Sequence, residues 1–271
     1  NIKVIGVTGT DGKTTTVTLL HQILETAGKK VGSITTIGAH IGSKTYDTGF
    51  HVTSPEPLPL QRFLAQMVKE GVEYAILEVT SHGLDQERFA GIKFEVGVLT
   101  NITREHLDYH KTFEAYKEAK AKLFKNVKIA VLNKDDKSYD FIRMKLPKTA
   151  RVLPYSLRGR KSTKSALLGK FNKYNALAAS TTAQALGLSP KIIQKALQSV
   201  KQIPGRLEEV KNNKGFSVYV DFAHTPNALQ NVLSTLSSKK PQGSRLIAVL
   251  GSAGERNSLK RPAMGEIAAK F

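Results

Sequence analysis

Between positions 8 and 15 the chain reads Thr8-Gly9-Thr10-Asp11-Gly12-Lys13-Thr14-Thr15, directly after an apolar run at 2–7. A strand that breaks into a Gly/Thr turn and then a Lys-Thr helix start can hold the phosphates of a nucleoside triphosphate. The glycines let backbone N–H groups approach phosphate oxygens, and the following helix aims the positive end of its dipole at them. Lys13 adds a point charge, and the Thr14 hydroxyl can ligate magnesium. The spacing departs from the common phosphate loop, because Val7 stands where its first glycine should fall. A plain glycine turn is the competing reading. The strand–turn–helix context argues against it.

Two further runs end in polar clusters. Glu78 closes the apolar run 74–79 and is followed by Thr80-Ser81-His82-Gly83-Leu84, while the run 95–99 ends in Thr100-Asn101-Ile102-Thr103-Arg104-Glu105-His106-Leu107-Asp108-Tyr109-His110. Open α/β sheets bind ligands at the C-terminal ends of their strands. A carboxylate there, beside a phosphate loop, is a natural magnesium ligand. Taken singly, His82 and His110 read as satisfied surface or core residues; His106 is the better candidate, since it shares its strand end with Asn101 and Thr103. Lys120 poses a different question. Over 112–125 the inward stripe at helical spacing is Phe113, Tyr116, Lys120, Leu123. A lysine in such a stripe either snorkels outward or is functional. Desolvation would lower its pKa and expose a nucleophilic amine, able to take up carbon dioxide as an anionic carbamate. On the pattern alone, snorkelling is the better reading.

The elements that must position these residues alternate along most of the chain. Short apolar, β-branched runs at 2–7, 31–37, 74–79, 95–99 and 127–132 read as buried parallel strands. Helical stretches at 14–27 and 58–70 stop at Gly28 and Gly71, and 38–49 reads as a loop or short hairpin. This is the rhythm of an α/β fold with a mostly parallel sheet and helices on both faces. A helix pair at 172–186 and 190–200 precedes Pro204-Gly205, a plausible boundary. Beyond it come a strand at 216–220, a helix at 226–237, a strand at 246–250, a glycine loop and a helix near Arg261. That is a partial Rossmann-like unit, too small for a stable domain by itself. The domains expected are therefore 1–203, binding ATP, and 204–271.

Bulk properties bound the class. The 271 residues contain no cysteine, which excludes disulfides, thiolate metal sites and a Cys nucleophile. No apolar run reaches membrane-span length and no signal sequence precedes the first strand, so no membrane contact and a cytoplasmic location are expected. The chain starts at Asn1 and stops at Phe271 inside a helical pattern, which reads as truncation. A formal charge of +19 raises nucleic-acid binding. The lysines between 111 and 173 are scattered among acids without aromatic interleaving, so a solvated basic surface that draws in anionic substrates is preferred, with no nucleic-acid partner.

In order and spacing, these motifs resemble the Mur ligase family. The likeness rests on Gly9-Thr10-Asp11-Gly12-Lys13-Thr14-Thr15, Glu78-Val79-Thr80-Ser81-His82-Gly83-Leu84, Thr100-Asn101 with His106-Leu107-Asp108-Tyr109-His110, and Ala119-Lys120 with Leu123-Phe124. It continues through Phe171-Asn172 with Asn175, Gly205-Arg206-Leu207-Glu208, Asp221-Phe222-Ala223-His224-Thr225-Pro226 and Lys260-Arg261-Pro262. Ser-His-Gly-Leu together with His-Leu-Asp-Tyr-His is most similar to the branch that adds the third peptide residue to UDP-N-acetylmuramoyl-L-alanyl-D-glutamate. The resemblance implies an ADP-forming, ATP-dependent amide ligase of peptidoglycan precursor synthesis, acting as a monomer on a UDP-muramoyl-peptide and an amino acid. It also implies the roles. Lys13 and the loop amides hold ATP phosphates; Thr14 and Glu78 hold one magnesium; Glu78, His106 and a carbamoylated Lys120 hold a second, so the resemblance sets Lys120 as functional where the pattern alone favours snorkelling. Asn172 and Asn175 fall near adenine, and Arg206 and Asp221 near phosphate and ribose. Thr53, Ser54, Ser81, Gln86 and Arg88 face the muramoyl-peptide, and Arg256 and Lys260 belong to a loop that closes from the C-terminal side.

The chain also departs from the pattern. No counterpart of the family's N-terminal, uridine-gripping domain is recognised, the insertion between Tyr155 and Leu167 is nearly deleted, and Glu105 replaces the usual Asp. The segment that would select the third amino acid is missing, so diaminopimelate and lysine stay open. Three other readings compete: a folylpolyglutamate-type or other acid–amino-acid ligase, a truncated ATP-binding module without turnover, and a nucleic-acid binder.

Overall fold

The computed structural model describes residues 2–48, 53–158, 164–252 and 260–271. Eight strands form one sheet in the order β4-β3-β2-β5-β1-β6-β7-β8. They are β1 (Lys3–Thr8), β2 (Val31–Thr35), β3 (Gly38–Ile41), β4 (Lys44–Tyr46), β5 (Tyr74–Glu78), β6 (Phe94–Leu99), β7 (Ile129–Asn133) and β8 (Arg151–Tyr155). From β2 to β8 all pairings are parallel; β3 and β4 add an antiparallel hairpin at one edge. β1 lies between β5 and β6, so the phosphate loop, Glu78 and the polar stretch after Leu99 leave the sheet on neighbouring strands at one end. The helices are α1 (Lys13–Thr26), α2 (Pro57–Lys69), α3 (Ser81–Asp85), α4 (Leu107–His110), α5 (Phe113–Ala121), α6 (Tyr139–Met144), α7 (Lys170–Ala185) and α8 (Pro190–Ser199).

Alternation along the strands divides the interior into two cores. Ile5, Val7, Ile76, Val96 and Val98 pack with Leu20, Ile23 and Leu24 of α1 and the alanine-rich face of α7. Val4, Ala75, Leu77 and Leu132 face the other way, onto Leu60, Leu64 and Met67 of α2 and onto Tyr116, Leu123 and Phe124. Burial on both faces is what selects near-continuous apolar strands. Gly6 and Gly97 pair across β1 and β6. A Cβ at Gly6 would meet Leu123 Cδ1 at 2.6 Å, and one at Gly97 would meet the Phe124 ring at 2.9 Å. The 3₁₀ turn Lys122–Phe124 that ends α5 therefore sits in a hollow of the sheet.

The chain after 204 is sparser. β9 (Glu208–Val210) and β10 (Val218–Val220) form a separate antiparallel pair. α9 (Pro226–Ser237) and α10 (Lys260–Ala269) pack on each other through Leu229, Leu233 and Met264. The expected strand at 246–250 does not form, and Ile247 and Val249 are 77% and 99% exposed. A strand needs a hydrogen-bonded neighbour, and among the described residues none lies beside it. The strand expected at 216–220 shrinks to its last three residues for the same reason: only these reach Glu208–Val210. β8 and α6 were not anticipated. Pro154 weakened the strand signal of β8, which the sheet accepts because β8 is an edge. Within the 38–49 stretch, Gly38–Ile41 and Lys44–Tyr46 take the hairpin option, and residue 49 lies outside the described residues. Between Tyr155 and Leu167 the sequence 157–165 is basic and polar, and its residues 159–163 lie outside the described residues.

Candidate active site

Gly12 has φ +83°, and a Cβ there would collide with the carboxamide oxygen of Asn175. Backbone hydrogen bonding in α1 resumes only with Thr16 N–H to Gly12 O at 2.9 Å, and no side chain caps the helix. Its first-turn amides therefore point out of the helix as donors for an anion. The loop is fixed to the end of β6: Asn101 Oδ1 accepts from Asp11 N–H at 3.0 Å, and the Thr100 hydroxyl donates to Asp11 O at 2.7 Å. Lys13 folds back to donate to Thr10 O at 2.8 Å. Burial lowers its pKa, opposed by Glu78 and Asp11.

Glu78 is buried at the end of β5. One oxygen, Oε2, accepts from Thr14 Oγ1 at 2.9 Å, from Thr36 N–H at 3.1 Å and from Thr36 Oγ1 at 3.2 Å. Thr36 was missed by sequence reasoning. Its position just past β2, at the same edge of the sheet as Glu78, is the signal that could have found it. Among the described residues no three His, Asp or Glu side chains converge on one point. Glu78 and Thr14 instead offer two oxygen donors beside the phosphate loop. That donor chemistry fits magnesium, which keeps several waters and takes one or two carboxylates plus phosphate oxygens.

Lys120 does not snorkel. It is 1% exposed, donates to Gly9 O at 2.8 Å and lies 4.7 Å from the centre of the Tyr116 ring. Burial, with Lys13 adding to it, holds its pKa well below the ordinary lysine value. It underlies the phosphate loop and does not line the cavity in front of it. Tyr116, also buried, shares a 3.0 Å hydrogen bond with Thr10 Oγ1 and so ties α5 to the loop. His106 adopts φ 56°, with its ring 4.7 Å from that of His82. Burial first, then His82, Lys120 and Lys13, push its pKa down to about 2, so the ring is neutral and has a lone pair to offer.

A cavity of about 970 Å³ joins the phosphate loop, Glu78 and His106. On one side, Ser54 and Thr80 share a 2.9 Å hydrogen bond, and Arg88 donates to Ser54 O at 2.9 Å and pairs with Glu56 at 2.8 Å. Gln86 accepts from Arg88 Nε at 2.8 Å, and Thr53 bonds Thr36 at 3.0 Å. On the other side, Arg206 donates to Thr14 Oγ1 at 2.9 Å with its guanidinium 4.8 Å from the Phe222 ring centre. Asp221 accepts from Leu207 and Ala223 N–H at 2.6 and 2.7 Å; burial raises its pKa. Lys260 pairs with Glu105 at 2.7 Å. Thr53, Ser54, Gln86, Arg88, Asn175, Arg206, Asp221 and Lys260 all line the cavity, together with Thr10 to Thr15 of the loop. Gly9, Ser81 and Asn172 do not line it; Asn172 stands behind Asn175, accepting from its Nδ2 at 3.0 Å. Arg256 lies outside the described residues.

Comparison with known proteins gives this geometry a family. The Mur ligase middle domain matches residues 7–166, and the Mur ligase glutamate ligase domain matches 205–271. The UDP-N-acetylmuramoyl-L-alanyl-D-glutamate–2,6-diaminopimelate ligase 1 of Clostridium acetobutylicum is 40% identical over 295 residues, covering all of this chain and 60% of the relative. The corresponding ligase of Geobacter metallireducens is also 40% identical, with 58% of its length covered. The chain thus spans about 60% of the length of the curated relatives it matches. A solved structure of a UDP-N-acetylmuramoyl-L-alanyl-D-glutamate–2,6-diaminopimelate ligase is 32% identical with a TM-score of 0.77, covering 99% of this chain and 60% of that one. Mycobacterium tuberculosis folylpolyglutamate synthase, solved with ADP, is similar in fold alone: 17% identity, TM-score 0.68, over 88% of this chain and 66% of that one. The continuous likeness over both matched regions, and the phosphate loop it includes, place the chain in the Mur ligase family.

Proposed function

We propose that this chain carries the ATP site and the acyl-transfer centre of an ADP-forming ligase that joins an amino acid to a muramoyl-peptide carboxylate. The observation that carries the reading is the single cavity shared by the phosphate loop, Glu78, His106 and the Ser54–Arg88 wall. In it the Lys13 to Thr15 amides and the Lys13 ammonium bind and orient triphosphate oxygens. Arg206 reaches the same point from the other side, through Thr14. Asn175 and Asp221 border the remainder of the nucleotide. Thr53, Ser54, Gln86 and Arg88 face the acidic acceptor, with Lys260 opposite.

Thr14 and Glu78 would hold one magnesium, and by the family resemblance Glu78, His106 and a carbamate on Lys120 a second, for which Lys120 would have to turn out from beneath the loop; such ions would neutralise the charge that builds between carboxylate and γ-phosphate. Carbamoylation of Lys120, whose pKa burial lowers, would join its deprotonated amine to carbon dioxide, forming an N–C bond and releasing one proton. We read 1–203 and 204–271 as the two domains of this unit.

Phosphate release from ATP, with magnesium and bicarbonate, tests the proposal. The assay is run with and without UDP-muramoyl-L-alanyl-D-glutamate plus diaminopimelate or lysine, beside Lys120→Ala. Release that needs the dipeptide and one amine, and is lost in Lys120→Ala, is the expected result and names the added residue. ATP binding without stimulated release would replace the ligase reading with that of a nucleotide-binding module.

A further inference from the structure

The α9–α10 pair has its own small core of Leu229, Leu233 and Met264, separate from the two cores of the large sheet. Besides the packing of α9 against the start of α7, polar contacts join it to the phosphate-loop end of the sheet. At the start of α9, Thr225 Oγ1 and Asn227 Nδ2 donate to the Asp11 carboxylate at 3.2 and 3.0 Å. At the start of α10, Lys260 Nζ meets Glu105 Oε1 at 2.7 Å. These side chains are 8% and 3% exposed, whereas in the Lys128–Glu95 and Arg158–Asp135 pairs one partner is 75% and 88% exposed. The other carboxylate oxygen, Glu105 Oε2, is buried without a hydrogen-bond partner. Glu105 thus depends on one ammonium that arrives from 155 residues away.

We propose that Glu105 is a positioning residue: its carboxylate fixes Lys260 at the cavity wall and, through it, holds the α9–α10 unit over the phosphate-loop end of the sheet. A charge removed from water and paired once is costly to leave alone, so loss of either partner frees the other. The length of the side chain matters. An aspartate, the residue usual here by the family resemblance, would fall short by one carbon–carbon bond, about 1.5 Å. The inference rests on the fold alone and holds whether or not the chain is a ligase.

The test uses the full chain without nucleotide. Amide hydrogen exchange is followed in 226–237 and 260–269, and the Lys260 amine is acylated with acetic anhydride. Glu105→Gln is expected to speed both exchange in these helices and acylation of Lys260 by on the order of tenfold or more, the scale of a lost buried charge partner. Glu105→Asp should lie between Gln and the parent. The double variant with Lys260→Met should exchange no faster than the larger single variant, while α1 and α7 keep their protection. Parental exchange and acylation in Glu105→Gln, or additive effects in the double variant, would overturn the proposal. If Glu105→Gln loses protection in α1 and α7, Lys260→Met decides alone: faster exchange in α9 and α10 supports the proposal, and unchanged exchange refutes it.

Discussion

Replacing Gly12 by Ala tests the loop geometry directly. Gly12 sits at φ +83°, where a residue with a Cβ loses roughly 1–2 kcal/mol. The new methyl also strikes the Asn175 carboxamide oxygen. Asn175 is buried and donates to Asn172 Oδ1 at 3.0 Å, so it cannot swing away without losing that bond, a further cost of about 1 kcal/mol. The sum, about 2–3 kcal/mol, is on the order of a hundredfold in the folding equilibrium. Urea unfolding of Gly12→Ala, Asn175→Ala and the double variant separates the two parts. In the double variant the collision is gone and only backbone strain remains, so the cycle should return a coupling of about 1 kcal/mol. Nucleotide affinity should not recover with it, because the backbone strain at Gly12 in the phosphate loop remains. Additivity within about 0.5 kcal/mol would refute the argument, since it would mean that Asn175 does not bear on Gly12.

Other outcomes follow from single contacts. Tyr155→Phe removes a buried hydroxyl that donates to Leu99 O at 2.9 Å and should cost about 1 kcal/mol in chemical denaturation, with the nucleotide site unaffected. His110 is buried, and burial followed by His82 pushes its pKa down to about 4. Its neutral form is therefore favoured by folding. The contribution is complete above the unfolded value of about 6.5 and is lost as pH falls from there toward 4, with a slope of at most about 1.4 kcal/mol per pH unit. His110→Gln should flatten that part of the stability–pH profile and leave the profile above pH about 7 unchanged. Arg206→Lys gives up the donor to Thr14 and the stacking on Phe222; titration calorimetry should show ATP binding weakened by roughly tenfold.

The parallel strands and the helices packed on them were legible in the sequence because burial on both faces leaves an unbroken apolar run, as at Lys3–Thr8 and Tyr74–Glu78. Edges were less so. β8 carries Pro154, and its exposed positions blur the pattern. The run 246–250 was over-read for the opposite reason: its residues are strand formers, but pairing is a property of neighbours. In the site, the motifs marked many of the residues that line the cavity, though not Gly9, Ser81 or Asn172, which stand off it; Thr36 went unmarked, because a lone threonine after a strand has no periodicity to mark it. Lys120 was visible as an anomaly in a stripe. Only the packing shows that its amine meets the Gly9 carbonyl instead of water.

The hollow at Gly6 and Gly97 sets how deep that amine can go. Leu123 and Phe124 rest directly on the two glycines, three and four residues beyond Lys120. The distance from α5 to the underside of the phosphate loop is thus gauged by two hydrogen atoms where other residues carry a side chain. A methyl at either site would lift the helix end like a shim and withdraw the amine from Gly9. The loop would then lose the donor beneath it with every residue of the site still in place.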